Sequence, residues 1–127
     1  MYKAAWMFGL MKVLFWSALA FTFVMAVIPP AHTLRMIPWD KAQHFLAFYT
    51  LMGLAAAAFP EARLWVLAAL LSTFGAGIEI VQGLSFVHRD RDFWDWVADS
   101  VAILAVILPM LLVWWREGTG QRSPKRL

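Results

Sequence analysis

Four apolar stretches, each near the about 20 residues that cross a hydrocarbon core about 30 Å thick, fill most of this chain. The first runs from about Ala4 to Ile28 and stops at Pro29-Pro30. The second runs from about Asp40 to Phe59, with Asp40 suited to cap its start and Pro60 closing it. The third covers Leu64 to Leu84 and holds Gly75 and Gly77. The fourth covers Phe93 to Trp115, with Pro109 expected to kink it. Lys12 lies inside the first stretch, where its long stem can carry the ammonium to the interface. Ala18-Leu19-Ala20 resembles a leader cleavage site. The apolar run continues to Ile28, however, and Lys12 would interrupt a leader's apolar region, so a retained span is expected.

Composition agrees. The chain has 127 residues, 62% hydrophobic and 15% charged. Soluble domains carry about 45–50% apolar and about 25% charged residues, and a small one needs more polar surface, not less. An ordinary soluble domain and a disordered chain are both excluded. There are no cysteines, so disulfides, thiolate metal sites and cysteine nucleophiles are absent. The expected fold is all-α: a four-transmembrane-helix bundle with short loops over residues 1–116. A polar, basic, disordered tail is expected over 117–127.

Pro60-Glu61-Ala62-Arg63 is too short to do anything but turn the chain back, so spans two and three should be antiparallel neighbours. Four spans put both termini on one side. That side carries Lys3, Lys12, Arg63, Arg116, Arg122, Lys125 and Arg126; the other carries Arg35, Lys41, Arg89 and Arg91. The larger share marks the termini as cytoplasmic. Trp39, Trp94 and Trp96 at one set of span ends, and Trp65, Trp114 and Trp115 at the other, read as interfacial belts. The basic tail reads as a membrane-surface signal. No basic face interleaved with stacking aromatics is present, so no nucleic-acid partner is expected.

The acids do not follow from topology, because Asp and Glu contribute little to orientation. Only Glu61 and Glu117 fall on the cytoplasmic side. Asp40, Glu79, Asp90, Asp92, Asp95 and Asp99 fall toward the other, as do His32, His44 and His88. Asp40 and His44 are four apart and share a helix face, as do Asp95 and Asp99; Glu79 and Gln82 are three apart. At a rise of about 1.5 Å per residue, Glu79 lies roughly 7–8 Å below Leu84 and Asp99 about 9 Å below Phe93. A charge facing lipid at mid-helix costs about 2.5–3.5 kcal/mol on insertion scales. These side chains should therefore turn into the bundle and meet Lys41, His44, Gln82, Arg89 and Arg91. A polar pocket opening outward over an apolar floor is expected. Ala55 to Ala58, Gly75 and Gly77 should let the helices pack closely.

Trp39-Asp40-Lys41-x-x-His44-Phe45, followed by an apolar stretch, resembles the first motif of the VanZ-like family. Glu79-x-x-Gln82, then Arg89, Asp95 and Asp99, resembles its second motif. The resemblance covers roughly residues 39 to 102, and the four-span layout extends it over the chain. It implies a small bacterial inner-membrane protein of the cell envelope, related to a protein linked to teicoplanin resistance, and carries no established reaction. The family usually has Asn where this chain has Asp99, and Gly where it has Ala102. Asp99 adds a negative charge to the expected pocket.

Several chemistries fit these residue types. Glu79, His44 and Asp95 are the candidate catalytic groups, with Glu79 or His44 as proton acceptor. Asp40, Lys41, Gln82, Arg89 and Asp99 are the candidate substrate-binding groups. Arg89, on which the second motif falls, is expected inward to grip a phosphate or carboxylate, and Arg91 is not. The alternating run from Arg89 to Asp92 otherwise reads as a solvated loop. Glu79, Asp95, Asp99 and His44 also suit a divalent metal, but no compact metal signature such as HExxH is present and a metal is not favoured. Ser85 and Ser100 lack an activating base at fixed spacing.

Two functional classes remain open. In one, the protein binds, and in a stronger form modifies, a lipid-linked or amphiphilic envelope component, affecting glycopeptide susceptibility. In the other, it is a structural or interaction protein whose buried polar groups only hold the helices in register. Ion or proton transport ranks last, because the inner halves of the spans lack matching polar residues. Membrane lipids are the expected surroundings under each reading. Substrate, cofactor, any enzymatic activity and oligomeric state are not readable from the residues.

Overall fold

A computed structural model describes residues 2–28, 40–87 and 91–118. It is all-α, with four helices: α1 Tyr2–Val27, α2 Asp40–Ala58, α3 Leu64–Gln82 and α4 Phe93–Gly118. Three of them, α1, α3 and α4, are long and apolar enough to cross a membrane. α2 has 19 residues and so a length of about 28 Å, but Asp40, Lys41, Gln43 and His44 dilute its apolar character. α4 continues through Pro109 to Gly118, past the expected end at Trp115. Asp40 is the first helical residue of α2 rather than a residue before it.

Cross-helix contacts give the directions. His44 meets Asp95 and Asp99 while Lys41 meets Asp92, so α2 and α4 run parallel. Ser72 meets Ser100 while Glu79 meets Asp92, so α3 opposes α4. Phe15 packs edge-on against Phe59, and Gln82 reaches Ala26, so α1 opposes α2 and runs with α3. The result is an up-down-up-down bundle with both ends of the described chain at one end. α2 and α3 form its middle; α1 and α4 flank them and do not touch each other among the described residues.

Each of α2, α3 and α4 turns one stripe inward at three- and four-residue spacing. On α2 it is Lys41, His44, Phe48, Leu51, Met52, Ala55 and Ala58; on α4, Asp95, Asp99, Ala102, Ile103 and Ile107; on α3, Leu64, Leu67, Leu71, Gly75, Ile78, Glu79 and Gln82. Each stripe is apolar toward the end that holds the termini and polar toward the other. The aligned polar parts make a single layer capping the core, above Phe48. The outward faces stay apolar: Leu70, Leu108, Leu112 and Trp115 are all more than half exposed. So much exposed apolar surface is foreign to a soluble monomer and suits lipid.

Small residues sort by place. Gly75 faces α4 at close range, whereas a Cβ on Gly77 would meet nothing within 4 Å. The expectation that both glycines serve close packing therefore holds for Gly75 alone. Ala55 and Ala58 are buried, while Ala57 between them is exposed.

Candidate functional site

The polar layer is built by three helix ends and the residue before α4. Asp92 starts α4 as its cap: its Oδ1 accepts the Trp94 N–H at 2.9 Å, satisfying one of the helix's orphan donors. Its Oδ2 accepts from Lys41 Nζ at 2.8 Å, joining the start of α4 to the start of α2. That ammonium, with the Trp94 N–H behind it, holds the Asp92 carboxyl below the usual carboxylate range. The Asp92 backbone N–H in turn donates to Glu79 Oε2 at 3.1 Å, which brings in α3.

One helical turn into α4, Asp95 faces both Lys41 and His44, with Oδ1 3.5 Å from Lys41 Nζ and Oδ2 3.7 Å from His44 Nε2. A further turn down, Asp99 Oδ1 lies 3.0 Å from His44 Nδ1. The imidazole is thus held edge-on between two carboxylates of one helix face. His44 Nδ1–H is the donor when the ring is neutral, because Asp99 is acceptor-only when ionised. Asp99 is fully buried, Asp95 and Glu79 nearly so, and the His44 side chain is 12% exposed. Phe48 and Gly75 close the floor against Asp99.

The layer is not fully satisfied. Among the described residues, Glu79 Oε1, Gln82 Oε1 and Asp99 Oδ2 are buried without a hydrogen-bond partner. Buried polar atoms are nearly always paired in native proteins, so each such atom asks for an explanation. Among the described residues, Lys41 ion-pairs with Asp92 at 2.8 Å and with Asp95 at 3.5 Å.

The candidate residues separate into groups. His44, Glu79, Asp95, Asp99 and Lys41 come together. The inward face of α2 carries Lys41 and His44, three apart; the Asp40 side chain and all of Arg89 lie outside the described residues. Gln82 is buried but turns its amide nitrogen to α1, donating to Ala26 O at 3.0 Å. Ala26 is one residue from the end of α1, so this bond satisfies a carbonyl the helix itself leaves open. Arg91 is exposed.

Four participants do not stand out in the sequence. Asp92 reads there as part of a solvated charged run, yet it joins three helices. Its signal is its place immediately before α4, a capping position. Trp96 reads as an interfacial belt residue, yet its Nε1 donates to Ser72 O at 3.1 Å. Ser72 and Ser100 pair at 3.2 Å across α3 and α4. Nothing in their spacing pairs them until the two helices are aligned.

Among the described residues, the polar layer is packed closely, with Lys41 and Asp92, each about a third or more exposed, at its mouth. Beside it, an open apolar groove of about 370 Å³ runs between α2 and α4, lined by Phe45, Trp94, Val97, Ala98 and Val101, with Lys41 at one end. Comparison with protein-family models, curated proteins and solved structures finds no match for this chain.

Proposed function

We propose that this chain is a four-span, VanZ-like protein of the bacterial inner membrane with both termini cytoplasmic. Its polar layer and the adjoining groove form an outward-side site for a lipid-linked or amphiphilic envelope component, through which it affects glycopeptide susceptibility. The observation that carries the reading is Glu79 Oε1 and Asp99 Oδ2, without a hydrogen-bond partner among the described residues, in a buried charged layer directly beside an apolar groove. A layer that served only to lock helices would be expected to close its hydrogen bonds. α2 supports the fourth span by its length and by Leu46 and Tyr49, apolar surfaces left exposed on its outward side. The basic residues described support the orientation, with Lys12, Arg63 and Arg116 at the end that holds the termini.

The groove takes an apolar chain, and Lys41 at its end meets an anionic head group. Glu79 or His44 then lies within the layer as the proton acceptor if the head group is also modified.

Ala98→Trp fills the groove without touching the polar layer. Native mass spectrometry of gently purified protein should show a copurifying amphiphile in the wild type that this variant loses at unchanged melting temperature. A wild-type spectrum with no adduct, or an adduct indifferent to the groove, favours the competing reading of a helix lock. That reading draws on Gln82–Ala26, Trp96–Ser72 and Ser72–Ser100, polar bonds that join helices and nothing else.

A further inference from the structure

We infer that the groove between α2 and α4 and its charged mouth select a zwitterionic phospholipid, one whose head group carries a phosphate for Lys41 and an ammonium for Asp92. The inference deepens the preceding reading and rests on it, since it takes the groove as the seat of an amphiphile and names the head group.

The groove fixes where that head group lies. Lys41 is the second residue of α2 and Trp94 the second of α4, so the groove begins at the start of both helices. From Trp94 to Val101 it descends along α4 by about 10 Å at the helical rise. Among the described residues only α2 and α4 line it, and Phe45, Trp94 and Val101 are each more than a third exposed. It therefore opens on the outward face of the bundle, where a lipid can enter sideways from the bilayer without crossing water. An exposed tryptophan at the end of a span sits at head-group level. That depth puts the first carbons of an acyl chain in the groove and the phosphate at its Lys41 end.

The mouth fixes which charges the head group must carry. Lys41 Nζ and Asp92 Oδ2 pair at 2.8 Å, with both side chains more than a third exposed. Neither group is saturated by the other. An ammonium has three N–H donors, and a carboxylate has about four acceptor positions. Among the described residues the Lys41 ammonium meets Asp92 and Asp95, and the Asp92 carboxylate meets Lys41 and the Trp94 N–H. Capacity is left on both groups, and their exposure makes it reachable. Asp92 is ionised at neutral pH, because Lys41 and the Trp94 N–H hold its carboxyl below the usual range. A purely anionic head group reaching for Lys41 would find that carboxylate beside it, and like charges repel. An uncharged one would leave both groups to water. A phosphate joined to an ammonium through a short link sets opposite charge against each, adding a second ion pair across the first without breaking it.

The test uses full-length protein, delipidated in detergent and offered three lipids with identical acyl chains at equal concentration: a phosphoethanolamine lipid, a phosphoglycerol lipid and an uncharged diacylglycerol. Native mass spectrometry should show the phosphoethanolamine lipid bound about 3–10-fold over either of the others, the modest factor expected of exposed ion pairs. Asp92→Asn keeps the helix cap and Lys41, and should lose the preference for phosphoethanolamine over phosphoglycerol. Ala98→Trp should lose all three lipids. A wild type that favours the phosphoglycerol lipid or does not discriminate overturns the inference, and needs no variant to fold. So does a preference that is unchanged in Asp92→Asn or survives in Ala98→Trp. Lipid that binds without discrimination but is lost in Ala98→Trp leaves the amphiphile reading standing and removes the head-group assignment alone. Wild-type protein that retains none of the three lipids removes both.

Discussion

Gly75 on α3 faces Asp99 on α4 so closely that one added carbon would lie 2.8 Å from Asp99 Oδ2 and 3.3 Å from Phe48 Cζ. No real Cβ tolerates that approach, and neither neighbour has room to retreat, since Asp99 and Phe48 are both fully buried. Gly75→Ala should therefore push α3 from α4 and destabilise the bundle by about 1–3 kcal/mol, the usual penalty for overfilling a packed interior. Gly77→Ala, two residues on and facing open space, should be neutral or stabilising by up to about 1 kcal/mol. Thermal melts of both variants in the same detergent check the contrast. Equal effects would mean that helix propensity, not the contact with Asp99, decides.

The His44–Asp99 bond makes a second prediction, about which property of Asp99 matters for folding. If Asp99 serves as an acceptor for the His44 Nδ1–H, Asn can replace it, because its side-chain oxygen accepts the same bond. Asp99→Asn should melt within about 1 kcal/mol of the wild type. Asp99→Ala strands a buried N–H and should be destabilised by about 1–3 kcal/mol. Chemical denaturation in micelles separates the two. An Asn variant as unstable as the Ala variant would show instead that the carboxylate's charge holds an imidazolium.

Much of this layer is legible in the residues because polarity and helical period coincide. His44 and Phe48, or Asp95 and Asp99, are four apart, and lipid leaves charged groups only the inward face, so spacing alone aligns the stripes. What the period does not contain is which carboxylate meets which cation. The pairing of Lys41 with Asp92 depends on α2 and α4 running parallel in one register. Gln82 shows the same limit from the other side. It shares the α3 face of Glu79, yet bends to α1, because the open carbonyl at Ala26 lies there and not in the layer. The closed state of the layer is not legible either. Sequence reports where polar groups lie, not how tightly Phe48 and Gly75 let the helices close around them.

Asp92 supplies a pH prediction whose sign follows from its partners. Lys41 and the Trp94 N–H hold its folded pKa below the ordinary value of 3.8. A depressed carboxylate stabilises the folded state fully above its unfolded pKa, and that contribution is lost as pH falls through the folded pKa. Asp92→Asn keeps the helix cap, since Asn also caps well, and removes only the charge. The wild type should melt above this variant by a constant margin from pH 8 down to about pH 5, and the margin should close below about pH 4. Because the pair is exposed, the margin should be small and shrink with salt. Melts of both proteins across pH measure it directly. A margin that persists at the acid end would mean that the variant acts through the cap and not through Lys41.

The fourth span and its direction can be read with cysteines, because the chain has none of its own and any introduced thiol reports without background. If α2 crosses the bilayer with its neighbours, the link before it and the turn after it must lie on opposite sides. His32→Cys should then react with a membrane-impermeant maleimide in intact cells. Glu61→Cys, in the turn between α2 and α3, and Ser123→Cys, in the basic tail, should react only after the membrane is opened. If α2 instead lay along the surface or only dipped into the bilayer, positions 32 and 61 would label together. The up-down register set by His44 with Asp95 and by Glu79 with Asp92 makes the first pattern the expected one. With α2 upright among the other three, lipid would cover the outward apolar faces of all four helices.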